Sequence, residues 1–269
     1  MSWNGNDLTV DTATMYLFVG PSGTGKKSAA ASFPGPTYYF DFDGRKKGLI
    51  GCPWINRDHI TGDDYPPDSD VVTNTEKKVS EMVKEYNSGI LPYKNIILAS
   101  ITGQTTSYLQ QGNRLTHVME AGKVKGKVIG STNMAGPAEY GFEATATYNL
   151  LSGLRRMSGV NIIVMAHEVP RYGKKDPNDP YSETIEIGSK LSIRDKIGAN
   201  AMVYFTEVYQ FRKEMKGKSV SHEVRFRSDL ARTTHVQLPD GWIDVTGVNF
   251  YNKLQERIKQ KDGQTTNSR

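Results

Sequence analysis

The chain has 269 residues, 34 Lys and Arg against 29 Asp and Glu, a formal net charge of +5 and 37% hydrophobic residues, enough apolar material for one large domain with a core between helical layers. The single Cys52 excludes an intramolecular disulfide framework and fits a reducing compartment, and Met1–Asp7 lacks the basic start and apolar run of a secretory signal. Apolar runs such as Met15–Val19 and Val160–Ala166 are too short to span a bilayer, so a cytoplasmic location with no membrane partner is expected; the modest basic excess permits nucleic acid without demanding it.

In chain order, Thr14–Val19 is a short apolar run ending at glycine and proline, the pattern of a buried parallel strand. A glycine-rich stretch follows, then Lys26–Phe33, whose serines and alanines permit a short helix closed by Pro34-Gly35-Pro36. Thr37–Phe42 is β-branched and aromatic, which predicts a second strand ending at Asp41-Phe42-Asp43-Gly44. Residues 52–72, with Pro53, Pro66, Pro67 and several aspartates, read as a surface loop. Thr75–Tyr86 has helical spacing at Val79, Met82, Val83 and Tyr86.

Asn95–Ile101 reads as a third strand and Thr105–Met119 as a helix. A glycine- and lysine-rich segment, 121–136, leads into helical Pro137–Met157 and a fourth strand, Val160–Ala166, ending at His167-Glu168. Pro170–Ser189 reads as another polar loop. Met202–Phe211 and Ser221–Arg227 flank Lys216-Gly217 as a β-hairpin. The expected organisation is a segment 1–13, one domain over 14–250 and a polar tail over 251–269. Strands alternating with helices imply an α/β fold: a mostly parallel sheet flanked by helices, with the hairpin as an antiparallel extension.

Gly20-Pro21-Ser22-Gly23-Thr24-Gly25-Lys26 matches the G-x-x-x-x-G-K part of a phosphate-binding loop, with a strand before it and a helix after it. Glycines let backbone N–H groups converge on phosphate oxygens, and Lys26 reaches the β- and γ-phosphates as a point charge. Gly20, Pro21, Ser22, Gly23, Thr24, Gly25, Lys26, Lys27 and Ser28 are therefore the expected nucleotide-binding residues. The position after Lys26 calls for a Ser or Thr hydroxyl to hold Mg²⁺. Lys27 stands there, and Ser28 lies about 100° further round a helix.

The order of motifs resembles phage-encoded RecA-like P-loop ATP-binding proteins, the AAA-type single-strand-annealing or recombination ATPases. The resemblance runs from Leu17–Lys26 through Tyr39–Gly44, Ile96–Thr102 and Val164–Glu168 to Phe205–Tyr209. It implies a RecA-like core, ATP as ligand, and a third-strand aspartate in the Mg²⁺ shell. Ala99 occupies that aspartate's position, so Mg²⁺ binding is expected to be weakened or lost. The resemblance places Asp43 at the catalytic acid and His167 at a γ-phosphate sensor. Asp41 and Asp43 are candidate metal ligands, with turn capping as the plain alternative. Arg225 and Arg227, on one face of their strand, could reach a neighbouring subunit's nucleotide in a ring or filament of copies, or simply protect a sheet edge.

In such cores the loops after the third and fourth strands face single-stranded DNA. Here they carry Lys123, Lys125 and Lys127 in one, and Arg171, Lys174 and Lys175 in the other, with Tyr172 as a stacking surface. Three readings stay open. The first is an ATP-binding protein of phage DNA recombination, annealing or replication with weak or absent hydrolysis, acting in the host cytoplasm. The second is a pseudo-ATPase serving as a structural or regulatory subunit. The third, a small-molecule kinase, lacks a recognisable acceptor site.

Overall fold

The computed structural model describes residues 14–44, 55–59, 70–123, 136–179, 181–217, 219–225 and 241–257. The early strands are β1 (Thr14–Val19), β2 (Thr37–Asp41), β3 (Ile55–His59), β4 (Asn95–Ala99) and β5 (Asn161–Ala166). The helices between them are α1 (Lys26–Ala31), α2 (Val71–Asn87), α3 (Ile101–Lys123) and α4 (Pro137–Arg155). Asp70 caps α2, its Oδ1 accepting from the Thr73 N–H at 2.8 Å. Gln111 of α3 accepts from the Val72 N–H at 2.8 Å, which ties the two helices at that end.

The later elements are β6 (Glu168–Lys174), β7 (Thr184–Leu191), α5 (Asp195–Ala201), β8 (Glu207–Lys216), β9 (Ser219–Arg225) and β10 (Trp242–Asp244). A closing helix, α6, covers residues 250–257. Among the described residues the main sheet runs β10-β9-β8-β1-β5-β4-β2-β3. The pairings from β8 to β3 are all parallel, and β9 and β10 add antiparallel strands at one edge. This is the expected α/β sheet with its hairpin extension. Across that hairpin Arg212 and Glu223 pair at 2.7 Å, and the Arg212 guanidinium lies 4.1 Å from the centre of the Trp242 ring.

Period-two alternation splits the sheet's side chains into two cores. Met15, Leu17, Phe40, Leu98 and Val164 face α2, α3 and α4. Phe18, Tyr39, Ile97, Ala99 and Met165 face α1 and α6. Phe18 touches an aromatic cluster with Phe33, Tyr209, Phe211 and Phe250, at ring-centre separations of 5.0–6.3 Å.

Three expectations need correction. Residues 52–72 contain β3, which pairs in parallel with β2. Residues 170–189 are not a loop but most of the antiparallel β6–β7 hairpin. The segment after 250 begins as a helix, not a polar tail, with Phe250 and Leu254 buried against the second core. Leu254→Ala is accordingly expected to lower the unfolding free energy by about 2–5 kcal/mol, read by denaturant titration.

Candidate functional site

Parallel pairing in register brings four strand ends to one edge. Val19 lies beside Ala166, Met165 beside Ala99, and Ala99 beside Asp41. The segments that follow β1, β2, β4 and β5 therefore open into one crevice outside the carboxyl ends of the strands, where open α/β sheets bind ligands. A cavity of about 1010 Å³ lies there. Residues 22–29 line one side, with Asp43, Ser100, His167, His222 and Phe250 among the others.

The loop after β1 has the backbone its sequence demands. Gly20 has φ 152°, and a Cβ on it would overlap the carbonyl oxygen of Phe211, so no other residue fits. Gly23 and Gly25 have φ 80° and 92°, and α1 begins at Lys26. With six residues, α1 contributes little dipole, so anion affinity rests on the loop's N–H groups and on Lys26. Lys26 is 7% exposed, and its ammonium donates to the carbonyls of Gly20 and of Pro21, the latter at 2.7 Å. Thr24 also donates to Pro21 O, at 2.9 Å.

Asp43 is fixed from β4. Its N–H donates to Ala99 O at 3.2 Å, and Ser100 Oγ donates to its Oδ1 at 2.7 Å. His167 Nε2 lies 3.6 Å from its Oδ2. Gly103, in the first turn of α3, permits this approach, since a Cβ there would stand 2.7 Å from Asp43 Oδ1. Burial pushes the Asp43 pKa up, but the nearby His167 imidazole, the Ser100 hydrogen bond and the charge of Lys27 outweigh it and hold the carboxyl below its ordinary range. Asp43 is thus ionised at neutral pH, in place to orient a water molecule or polar group within the cavity.

The other expected residues fall as follows. Ser22, Gly23, Thr24, Gly25, Lys26, Lys27 and Ser28 all line the cavity, whereas Gly20 and Pro21 shape the loop behind it. Asp41 is completely buried and does not line the cavity; its Oδ1 accepts from the Asp43 N–H at 3.2 Å, the turn-capping role. Arg225 sits on β9 between Gln210 and Trp242, away from the cavity lining. Arg227, Lys125 and Lys127 lie outside the described residues, as does the side chain of Lys123 at the end of α3.

Arg171, Lys174 and Lys175 are exposed on the β6–β7 hairpin beside Tyr172, 63% exposed. Lys174 donates to Ser182 O at 2.9 Å, and Lys175 lies 3.9 Å from Glu183.

Ser100 and His222 are additions to the sequence reading. Ser100 follows Ala99 directly, and its polarity after an apolar run was a usable signal. His222 comes from the distant β9, and its Nδ1 makes no hydrogen bond among the described residues. It approaches the phosphate loop at Gly25, where a Cβ would lie 3.6 Å from that nitrogen.

With the phosphate loop after β1, and β5 between β1 and β4, the fold type is decided. The core is RecA-like, of the P-loop type. No family model matches the chain, and no curated protein matches it. Among solved structures it is similar to a KaiC-like protein from the archaeon Pyrococcus horikoshii OT3, at 15% identity and a TM-score of 0.45, over 86% of this chain and 84% of that one. At that distance the likeness is descriptive, and the fold assignment stands on the sheet order and the phosphate loop.

Glycines at positive-φ loop positions, Lys26 in the cavity lining and the cavity's size fit a nucleoside triphosphate. The same residues do not fit the usual Mg²⁺ shell. Lys27 stands where a hydroxyl is needed, Ala99 is 0% exposed and carries no oxygen ligand, and Asp43 is the one carboxylate lining the cavity among the described residues. Among those residues no three His, Cys, Asp or Glu gather as metal ligands.

Proposed function

We propose that this chain binds ATP through residues 20–28 and turns it over slowly or not at all, acting on single-stranded DNA in recombination, annealing or replication. One observation carries the nucleotide reading: the positive-φ glycine loop with its buried lysine faces a cavity at the sheet's switch edge. Lys26 and the loop N–H groups hold the phosphates, and Asp43, set by Ser100 and His167, faces the same space. Calorimetric titration tests this, with saturable ATP binding at micromolar to low millimolar nucleotide as the expected result. No binding at millimolar ATP contradicts it.

The DNA part rests on the resemblance, on the exposed Arg171, Tyr172, Lys174 and Lys175, and on the lysines of the segment after α3. The Lys175–Glu183 pair is exposed and long, so it gives way to a phosphate at little cost. Affinity for single-stranded DNA is expected to fall steeply with salt, by about 0.7 logarithmic units per tenfold salt for each phosphate contact. Changing Arg171, Lys174 and Lys175 together to alanine should flatten that slope by about 2 units and weaken all sequences alike. The same holds for Lys123, Lys125 and Lys127. A slope unchanged in both triple variants removes these surfaces from the account.

The phage origin and the assembly of copies into a ring or filament follow from the resemblance. No helix among the described residues is long and apolar enough to cross a membrane, and the host cytoplasm is the proposed location. A second reading, a pseudo-ATPase acting as a structural or regulatory subunit, is favoured by the paired departures at Lys27 and Ala99. Stimulation of turnover by single-stranded DNA separates the two readings.

A further inference from the structure

We infer that the Lys27 ammonium serves in place of the divalent cation, so that this chain binds free nucleoside triphosphate without a metal ion. The inference rests on the nucleotide-binding reading and deepens it.

Lys27 occupies the first turn of α1, lines the cavity, and holds its ammonium 5.8 Å from the centre of the buried Tyr39 ring. The same cavity is lined by Asp43, just beyond β2, and the Lys27 charge acts on that carboxylate. Among the described residues, no carboxylate lines the cavity from β4. Ala99 faces the core under α1, and Asp41, beside it in register, is spent on its own turn. Ser100 supplies a hydroxyl, but this already donates to Asp43.

The charges lining the cavity favour the same exchange. Lys26 and Lys27 line it against the single carboxylate of Asp43, among the described residues. Free ATP carries more negative charge than its Mg²⁺ complex. Two ammonium groups attract the free form and repel an incoming divalent ion. An ammonium supplies one positive charge where Mg²⁺ supplies two, and it cannot draw in phosphate oxygens and water as an octahedral ion does. Ground-state binding survives this exchange better than the charge-developing transition state of phosphoryl transfer, which matches a binder with slow turnover.

The test is calorimetric titration of the full-length protein with ATP, in Mg²⁺ buffer and in excess EDTA. For the wild type the two dissociation constants are expected to agree within about threefold. Lys27→Met, which keeps the stem over Tyr39 and removes the charge, is expected to weaken binding in EDTA by about tenfold or more, the scale of one charge-assisted contact. Lys27→Arg should retain metal-free binding, which separates lost charge from misfolding. Wild-type affinity that falls more than about tenfold on removing Mg²⁺ overturns the inference while leaving nucleotide binding intact, as does unchanged binding of Lys27→Met in EDTA. Absence of ATP binding in both buffers overturns the nucleotide reading itself, and the inference with it.

Discussion

Lys26→Ala is expected to weaken ATP binding by about a hundredfold while the protein stays folded. The Lys26 ammonium is buried at the loop's centre, where a hydrogen bond to a charged group contributes about 1.5–3 kcal/mol, and each 1.4 kcal/mol is tenfold in affinity. The same ammonium bonds to the Gly20 and Pro21 carbonyls, so the substitution also loosens the loop that presents the N–H groups. Both effects act in one direction. The fold itself rests on two apolar cores that do not include Lys26, so the circular dichroism spectrum should match the wild type. Calorimetric titration of both proteins gives the ratio, and a change under about threefold would remove Lys26 from the phosphate site.

The second large effect is a coupling. Ala99→Asp and Lys27→Thr together are expected to create Mg²⁺-dependent ATP turnover at least about thirtyfold above the wild type, while neither change alone exceeds about twofold, a coupling of about 1 kcal/mol and within the usual range for residues of one site. Ala99→Asp alone buries a carboxylate under α1, next to Asp41 in register, and Lys27 is the nearby cation that would neutralise it. That ion pair would occupy the place a metal needs. Lys27→Thr alone supplies a hydroxyl without a carboxylate behind it. The double variant has both oxygen ligands of an octahedral Mg²⁺ completed by phosphates and water. Steady-state rates of the four proteins form the cycle, and additivity of the two single effects would mean that the positions do not act as one site.

The legible parts of this structure were those in which local chemistry and tertiary role agree. Thr14–Val19, followed by Gly-x-x-x-x-Gly-Lys, announced a buried strand and a phosphate loop because the backbone conformation at Gly20 and Gly25 requires glycine. The two changed metal positions were legible for the same reason: a spacing defines them, and the structure puts Lys27 in the cavity and Ala99 under α1.

The failures share a cause. β3 reads Ile-Asn-Arg-Asp-His and is, among the described residues, an edge strand paired only with β2, so little of its sequence signals burial. The β6–β7 hairpin is largely exposed along β6, with no apolar-to-polar alternation to betray it. In the closing helix two side chains, Phe250 and Leu254, are fully buried, too sparse a stripe to stand out from a polar segment. His222 reaches the cavity because β9 follows β8 at the edge of the sheet beside β1, a consequence of topology that no local pattern encodes.

This protein is expected to hold nucleotide well and to hydrolyse it poorly. A single-turnover experiment tests it most directly, with protein in excess over labelled ATP, Mg²⁺ and single-stranded DNA present, and bound and hydrolysed nucleotide followed in the same sample. The expected result is nearly complete binding with a hydrolysis rate below about 0.01 per second, far under the range of about 1–1000 per second usual for enzymes. Hydrolysis at about 1 per second or faster would show that Ser28 or Asp43, both in the cavity lining, already serves a metal ion, and would contradict it.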